Sequence, residues 1–161
     1  MSSPHEDYSV NVFPVSCEGN MYMYNVCMNY YFVDYENTNT DGLKGISGLD
    51  ENNSVHIFYT VNADKITFGL HRRLNMSKAE LRYHKVEAGQ KNALDFQLAS
   101  YLGYIIRENL ENESHYIIVS KDTGFNSLIT FWKKYRITVE LVDDIASGKS
   151  IIQQKKSDTL L

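Results

Sequence analysis

The stretch YYFVDYENTN, residues 30–39, opens with the aromatic and β-branched residues of a buried strand and turns polar within a few positions. A plain surface turn would satisfy the backbone there, yet the run ends in Asp34, Glu36 and two asparagines. In an open parallel sheet, ligands bind outside the carboxyl ends of the strands, where strand order reverses. If residues 30–34 form such a strand, Asp34 stands at that edge, and the rest of the chain should supply the sheet.

Four further runs read as strands: SVHIFYTVNA, the more polar AELRYHKVEA, HYIIVSKD and ITVELVDD. Helical periodicity fills the gaps between them. Ile66, Leu70 and Leu74 recur at four-residue steps, as do Leu94, Leu98 and Leu102 with Tyr101 and Ile105 alongside. Leu128, Phe131, Trp132 and Tyr135 make another stripe, and the glycine-containing connection from Asn37 to Asn53 holds one short helix or a loop. Strands alternating with helices predict an α/β fold. The architecture expected is three-layer, a doubly wound, mostly parallel five-stranded sheet with helices on both faces.

A chain of 161 residues fits one domain without needing disulfides or structural metals. Residues 1–20 are polar and aperiodic and read as a flexible arm or an expression remnant, leaving 21–161 as the domain with its core at about 30–145. SGKSIIQQKKSDTLL, after the last expected strand, reads as a short excursion or tail. Cys17 and Cys27 form neither a C-x-x-C pair nor a dense framework, which excludes zinc-finger and disulfide-stapled classes. No apolar run approaches the ~20 residues of a membrane span, and the N-terminus lacks a signal peptide's basic start and apolar core; a cytoplasmic protein with no membrane partner is expected. With 16 basic against 20 acidic residues, the chain does not hold nucleic acid through bulk positive charge. A metal-dependent nuclease remains compatible, because its site collects carboxylates.

Three acids fall where one crevice would gather them. Asp34 leaves the first strand, Asp122 leaves the fourth in IIVSKDTGF, and GQKNALDFQLASYLGY puts Asp95 in the first turns of the central helix. The helix dipole favours negative charge at that end. Converging carboxylates repel one another, and a hard cation with oxygen ligands and retained waters, Mg2+ or Mn2+, is the expected occupant. Glu36 is a weaker candidate, and Asp143 and Asp144 read as a solvated pair. Asp and Asn after a strand are also ordinary turn formers, so the three acids carry weight through their coincidence.

The strings FVDYEN, KNALDF and VSKDTGF, in this order over roughly residues 31–143, resemble the PIN-like nuclease superfamily, and more closely its NYN branch. The resemblance implies a small doubly wound sheet whose acids hold divalent metal for hydrolysis of RNA phosphodiester bonds. It implies that Asp34, Asp95 and Asp122 are the metal-site acids and catalytic residues, that Asn37 matches the family's asparagine after the first Asp, and that the protein forms a homodimer. Two departures stand out. Gly124 replaces a second acid that the family often has two places after the first, and Asp64, Glu80 and Glu87 give no clear counterpart to its mid-chain glutamate.

Ser120 and Lys121 are candidate phosphate contacts. Arg72 and Arg73 belong to a basic cluster, GLHRRLNMSKAELRYHK, and FWKKYR is a second; both suit single-stranded RNA, or equally a solvated helix face. His71, His84 and His115 lack metal-ligand spacing and read as surface groups. The leading expectation is a divalent-metal-dependent ribonuclease, the alternative a catalytically reduced module that binds RNA or a protein partner. A receiver or nucleotide-binding domain is weaker, because FVDYEN lacks a glycine-rich phosphate loop.

Overall fold

The computed structural model describes residues 27–87, 90 and 92–160. The expected N-terminal arm lies outside them. Five strands, β1 (Asn29–Asp34), β2 (Asn53–Tyr59), β3 (Glu80–Lys85), β4 (His115–Val119) and β5 (Val139–Val142), form one sheet in the order β3-β2-β1-β4-β5. Every neighbouring pair is parallel, with Val33 opposite Ile57 on one side and Val119 on the other. The chain moves outward from β1 through β2 to β3, then returns to place β4 on the other flank of β1. Strand order therefore reverses between β1 and β4.

A parallel sheet buried on both faces demands apolar residues in succession, and β1, β2 and β4 supply them. Tyr31, Val33, Val55, Ile57, Ile117 and Val119 face one core. Helices α1 (Tyr35–Gly42), α2 (Phe68–Met76) and α5 (Ile145–Thr159) contribute Tyr35, Leu70, Leu74, Ile145 and Ile152 to it. Phe32, Phe58, Tyr116 and Ile118 face the opposite core, where α3 (Ala93–Glu108) lays down Leu94, Leu98, Leu102, Ile105 and Ile106. There α4 (Asn126–Lys133) adds half-buried Leu128, Ile129 and Trp132. The three-layer, doubly wound fold expected from the sequence is what forms. Edge strand β3 is mostly exposed and carries Glu80, Arg82 and Lys85, charges that blunt an unpaired edge.

The C-terminal segment departs from its reading. Instead of a tail it is α5, capped by Asp144, whose Oδ1 accepts the Ser147 backbone N–H at 2.7 Å. Ile145, Gly148 and Ile152 form its buried stripe. A Cβ at Gly148 would lie 3.0 Å from Tyr31 Cε1 and 3.1 Å from Ile117 Cγ2, so the glycine lets the helix rest directly on β1 and β4. Gly45, at φ +93°, makes a matching approach from the other side, where a Cβ would come within 2.9 Å of the Ala146 backbone. Ile66 lies before α2 and is half exposed, so it is no part of that helix's stripe. The connection after β1 holds α1, interrupted at Asn39 (φ 50°), and a one-turn 3-10 segment at Ile46–Gly48.

His84 is likewise more than a surface group. Its Nε2 lies 3.0 Å from Nδ1 of buried His56, and its ring stacks on Phe58 with centroids 4.5 Å apart. Ser54 Oγ is 3.1 Å from His56 Nε2 and donates to Glu80 Oε2 at 3.1 Å. One tautomer set satisfies the whole chain: His84 donates to His56, His56 to Ser54, and Ser54 to Glu80. Burial, with the neighbouring His84 and Arg82 charges, lowers the His56 pKa to about 4.

Candidate functional site

At the reversal point the sheet's carboxyl edge opens into a cleft of about 630 Å³. Asp34 enters it from the end of β1, Glu36 and Asn37 from the first turn of α1, Asp95 from the first turn of α3, and Asp122 from the turn after β4. Thr60 and Asn62, after β2, and Asn92, the residue before α3, complete much of the wall. The three acids singled out in the sequence thus share one cleft, and Glu36 joins them. Thr60 Oγ1 donates to Glu36 Oε2, which ties that side chain back toward β2.

Asp34 and Asp122 both cap local turns, as expected of ordinary turn formers after a strand. Asp34 Oδ1 accepts the Asn37 N–H at 3.2 Å, and Asp122 Oδ1 accepts the Gly124 N–H at 2.8 Å. Asp34 does more than cap, being only 4% exposed, with its Oδ2 accepting from Ser120 Oγ at 2.9 Å. The same Ser120 Oγ accepts the Asp122 N–H at 3.1 Å, so one hydroxyl links the first acid to the turn that carries the third. Asn37 Oδ1 accepts the Lys121 N–H at 2.9 Å and closes the bridge between the strand ends.

Ser120, read as a phosphate contact, is 1% exposed and engaged with Asp34. Lys121 has an exposed side chain beside Asn37. Arg72 and Arg73 lie on α2 and are not part of the cleft wall. At Gly124 a Cβ would sit 3.0 Å from Asp122 Oδ1, so a side chain at the position where the resemblance leads one to look for an acid would press on the capping carboxylate. The linking role of Ser120 escapes sequence reading because a serine after a strand is indistinguishable from a turn former. Thr60 and Asn92 share one detectable signal, their position at the carboxyl edge.

The electrostatics are one-sided. Among the described residues the cleft wall contains four carboxylates and no Lys, Arg or His, and the ion pairs there, Arg82–Glu80 and Lys155–Glu140, lie elsewhere. Burial pushes the Asp34 carboxyl above the ordinary aspartate value, against the pull of its bonds from Ser120 and Asn37, and the Asp95 and Glu36 charges add to the rise. Asp95 is raised by burial, then by Asp122 and Glu36. Among the described residues no three acidic, histidine or cysteine side chains are drawn together tightly enough to enclose an ion directly.

Fold and site together define a doubly wound α/β protein with a carboxylate-lined cleft at its strand-reversal point. The chain belongs to the PIN domain family, whose model matches residues 28–141, and PIN domains are typically nucleases. No curated protein and no solved structure matches the chain.

Proposed function

We propose that the protein is a divalent-metal-dependent ribonuclease that hydrolyses RNA phosphodiester bonds in the acid cleft, of the NYN branch suggested by FVDYEN, KNALDF and VSKDTGF. The observation that carries this reading is the gathering of Asp34, Glu36, Asp95 and Asp122, from three separate parts of the chain, on a wall without a described cation. Carboxylates gathered without a compensating charge, with Asp34 and Asp95 raised by burial and by their acidic neighbours, are costly to the fold, and the arrangement is explained if a cation neutralises them.

The donor set fits Mg2+ or Mn2+. It consists of hard oxygens, and an open cleft leaves room for the waters that Mg2+ retains when one or two carboxylates bind it. The described donors on the wall are carboxylate, amide and hydroxyl groups, not the nitrogen and sulfur that zinc draws in. Asp34, Asp95 and Asp122 would hold the ion, with Glu36 at the rim. When bound, it supplies a lowered pKa for water and offsets charge on the leaving oxygen.

The chain's own groups do the positioning. Ser120 fixes the rotamer of Asp34 and the turn of Asp122 through one hydroxyl. Asn37 holds the Lys121 backbone, leaving the lysine ammonium to approach a phosphate from the rim. The N-terminus of α3, with Asn92 on the cleft wall, turns the positive end of a 16-residue helix toward the same anion.

Cleavage of end-labelled single-stranded RNA in Mg2+, Mn2+ or EDTA tests the reading, with Asp34→Asn and Asp122→Asn as folded controls. Metal-dependent cleavage lost in both variants is expected. An inert parent across several RNAs and both metals would favour a binding module instead.

A further inference from the structure

We propose that the apolar trough beside the acid cleft is a stacking shelf for the bases of a single-stranded nucleic acid whose phosphate lies at the acids. The proposal rests on the reading of the cleft as a phosphodiester site. The trough, of about 530 Å³, shares Asn92, Asp95 and Asp122 with the cleft and continues over Phe96, Leu128 and Phe131.

Phe96 is 69% exposed and Phe131 46%, and the two line one continuous trough, so they form a patch rather than isolated exposed rings. Phe96 directly follows Asp95 on α3. Successive helical residues point about 100° apart, so one turn sends a carboxylate into the cleft and a ring onto the shelf. Phe131 is braced rather than loose, with its ring centroid 5.2 Å from Trp132, edge-on, and 5.3 Å from Tyr135. Exposed Lys133 and Lys134 follow it at the end of α4. Aromatic faces interleaved with cations match a strand that offers a base and a phosphate at every step.

Continuity with the cleft selects the occupant. An apolar protein partner seated on Phe96 and Phe131 would also cover Asp95 and Asp122, burying charges it has no means to pair. A single strand places its bases on the rings and its backbone toward the acids and their counter-ion. A duplex keeps its bases stacked internally and gains nothing from the shelf. Stacking is tolerant of sequence, so the shelf selects for unpaired strands and not for a base.

The test uses a single-stranded RNA of about eight nucleotides, within ordinary single-strand site sizes, with 2-aminopurine at successive positions and Ca2+ in place of the catalytic metal. Quenching on the parent and on Phe96→Trp is expected. Phe96→Ala should lose the quenching and bind about 5- to 100-fold more weakly, the range of one lost base stack. An abasic strand of equal length should bind parent and Phe96→Ala alike. Because Phe96 is exposed, the variant should melt with the parent. Equal binding and quenching by parent and Phe96→Ala would overturn the shelf, as would an equal loss with the abasic strand, no binding by the parent, or a change in self-association instead. Stacking without cleavage in Mg2+ or Mn2+ would keep the shelf and overturn hydrolysis; cleavage with stacking unaffected by Phe96→Ala would do the reverse.

Discussion

Ser120 Oγ stands 2.9 Å from Asp34 Oδ2, joining residues at the ends of the neighbouring strands β4 and β1, 86 positions apart in the chain. The contact lies where strand order reverses, and its partners are an acid of the cleft and the hydroxyl that also accepts the N–H of another. Ser120→Ala removes the hydroxyl without disturbing the sheet. It leaves Asp34 with one fewer donor and raises its pKa further. A 10- to 100-fold loss in metal affinity or activity is about what a lost supporting bond of this kind costs. Cleavage rate against Mn2+ concentration checks it, and Ser120→Thr, which keeps the hydroxyl, should restore part of the loss.

The cleft acids should oppose folding when no cation is present. Asp34 and Asp95 have folded pKa values above the ordinary 3.8. Their contribution is most favourable below that value and is lost as pH rises through the higher folded values. In EDTA at neutral pH, Asp95→Asn should therefore melt above the parent, the gap closing as pH falls below the aspartate range. Excess Mn2+ should raise the parent's Tm and leave the variant nearly unmoved. A variant less stable than the parent in EDTA would contradict this.

Buried His56, beside half-buried His84, imposes the opposite slope. His56 falls from 6.5 to about 4 in the fold, so its contribution is present above pH 6.5 and is lost as pH drops toward 4. Denaturant unfolding across this window should show the parent losing up to roughly 3 kcal/mol from this source. His56→Phe, placed among the rings of Tyr30, Phe32 and Tyr101, should flatten the slope.

Gly148 sets how closely α5 approaches the sheet. Gly148→Ala puts a methyl 3.0 Å from Tyr31 and 3.1 Å from Ile117, both fully buried, and overpacking of this kind costs about 1–3 kcal/mol. A lower denaturant midpoint at unchanged slope is expected. Had this segment been a tail, the substitution would be silent.

These particulars show what the sequence makes legible. The strand YYFVD declares itself because a strand buried on both faces must be apolar at every position, and the acids after β1 and β4 stand out by interrupting such runs. Asp95 is found through the regular leucines of α3 behind it. The helix α5 hides because its contact with the sheet runs through a glycine, which reads as a loop signal until the neighbouring strands are in place. Ser120 and His56 hide for another reason. Their roles depend on partners from distant segments, Asp34 in one case and His84 in the other, and no local pattern announces such a pairing. Phe96 reads as an ordinary member of an apolar helix; only its exposure beside Asp95 gives it a different meaning.

The most direct test of the metal site is Mn2+ binding followed by electron paramagnetic resonance of the free ion at neutral pH, in the parent, Asp34→Asn, Asp95→Asn and Asp122→Asn. The acid cleft predicts saturable binding by the folded parent, weakened at least tenfold in each variant. Binding unchanged by all three substitutions, or no binding by the folded parent, would contradict it.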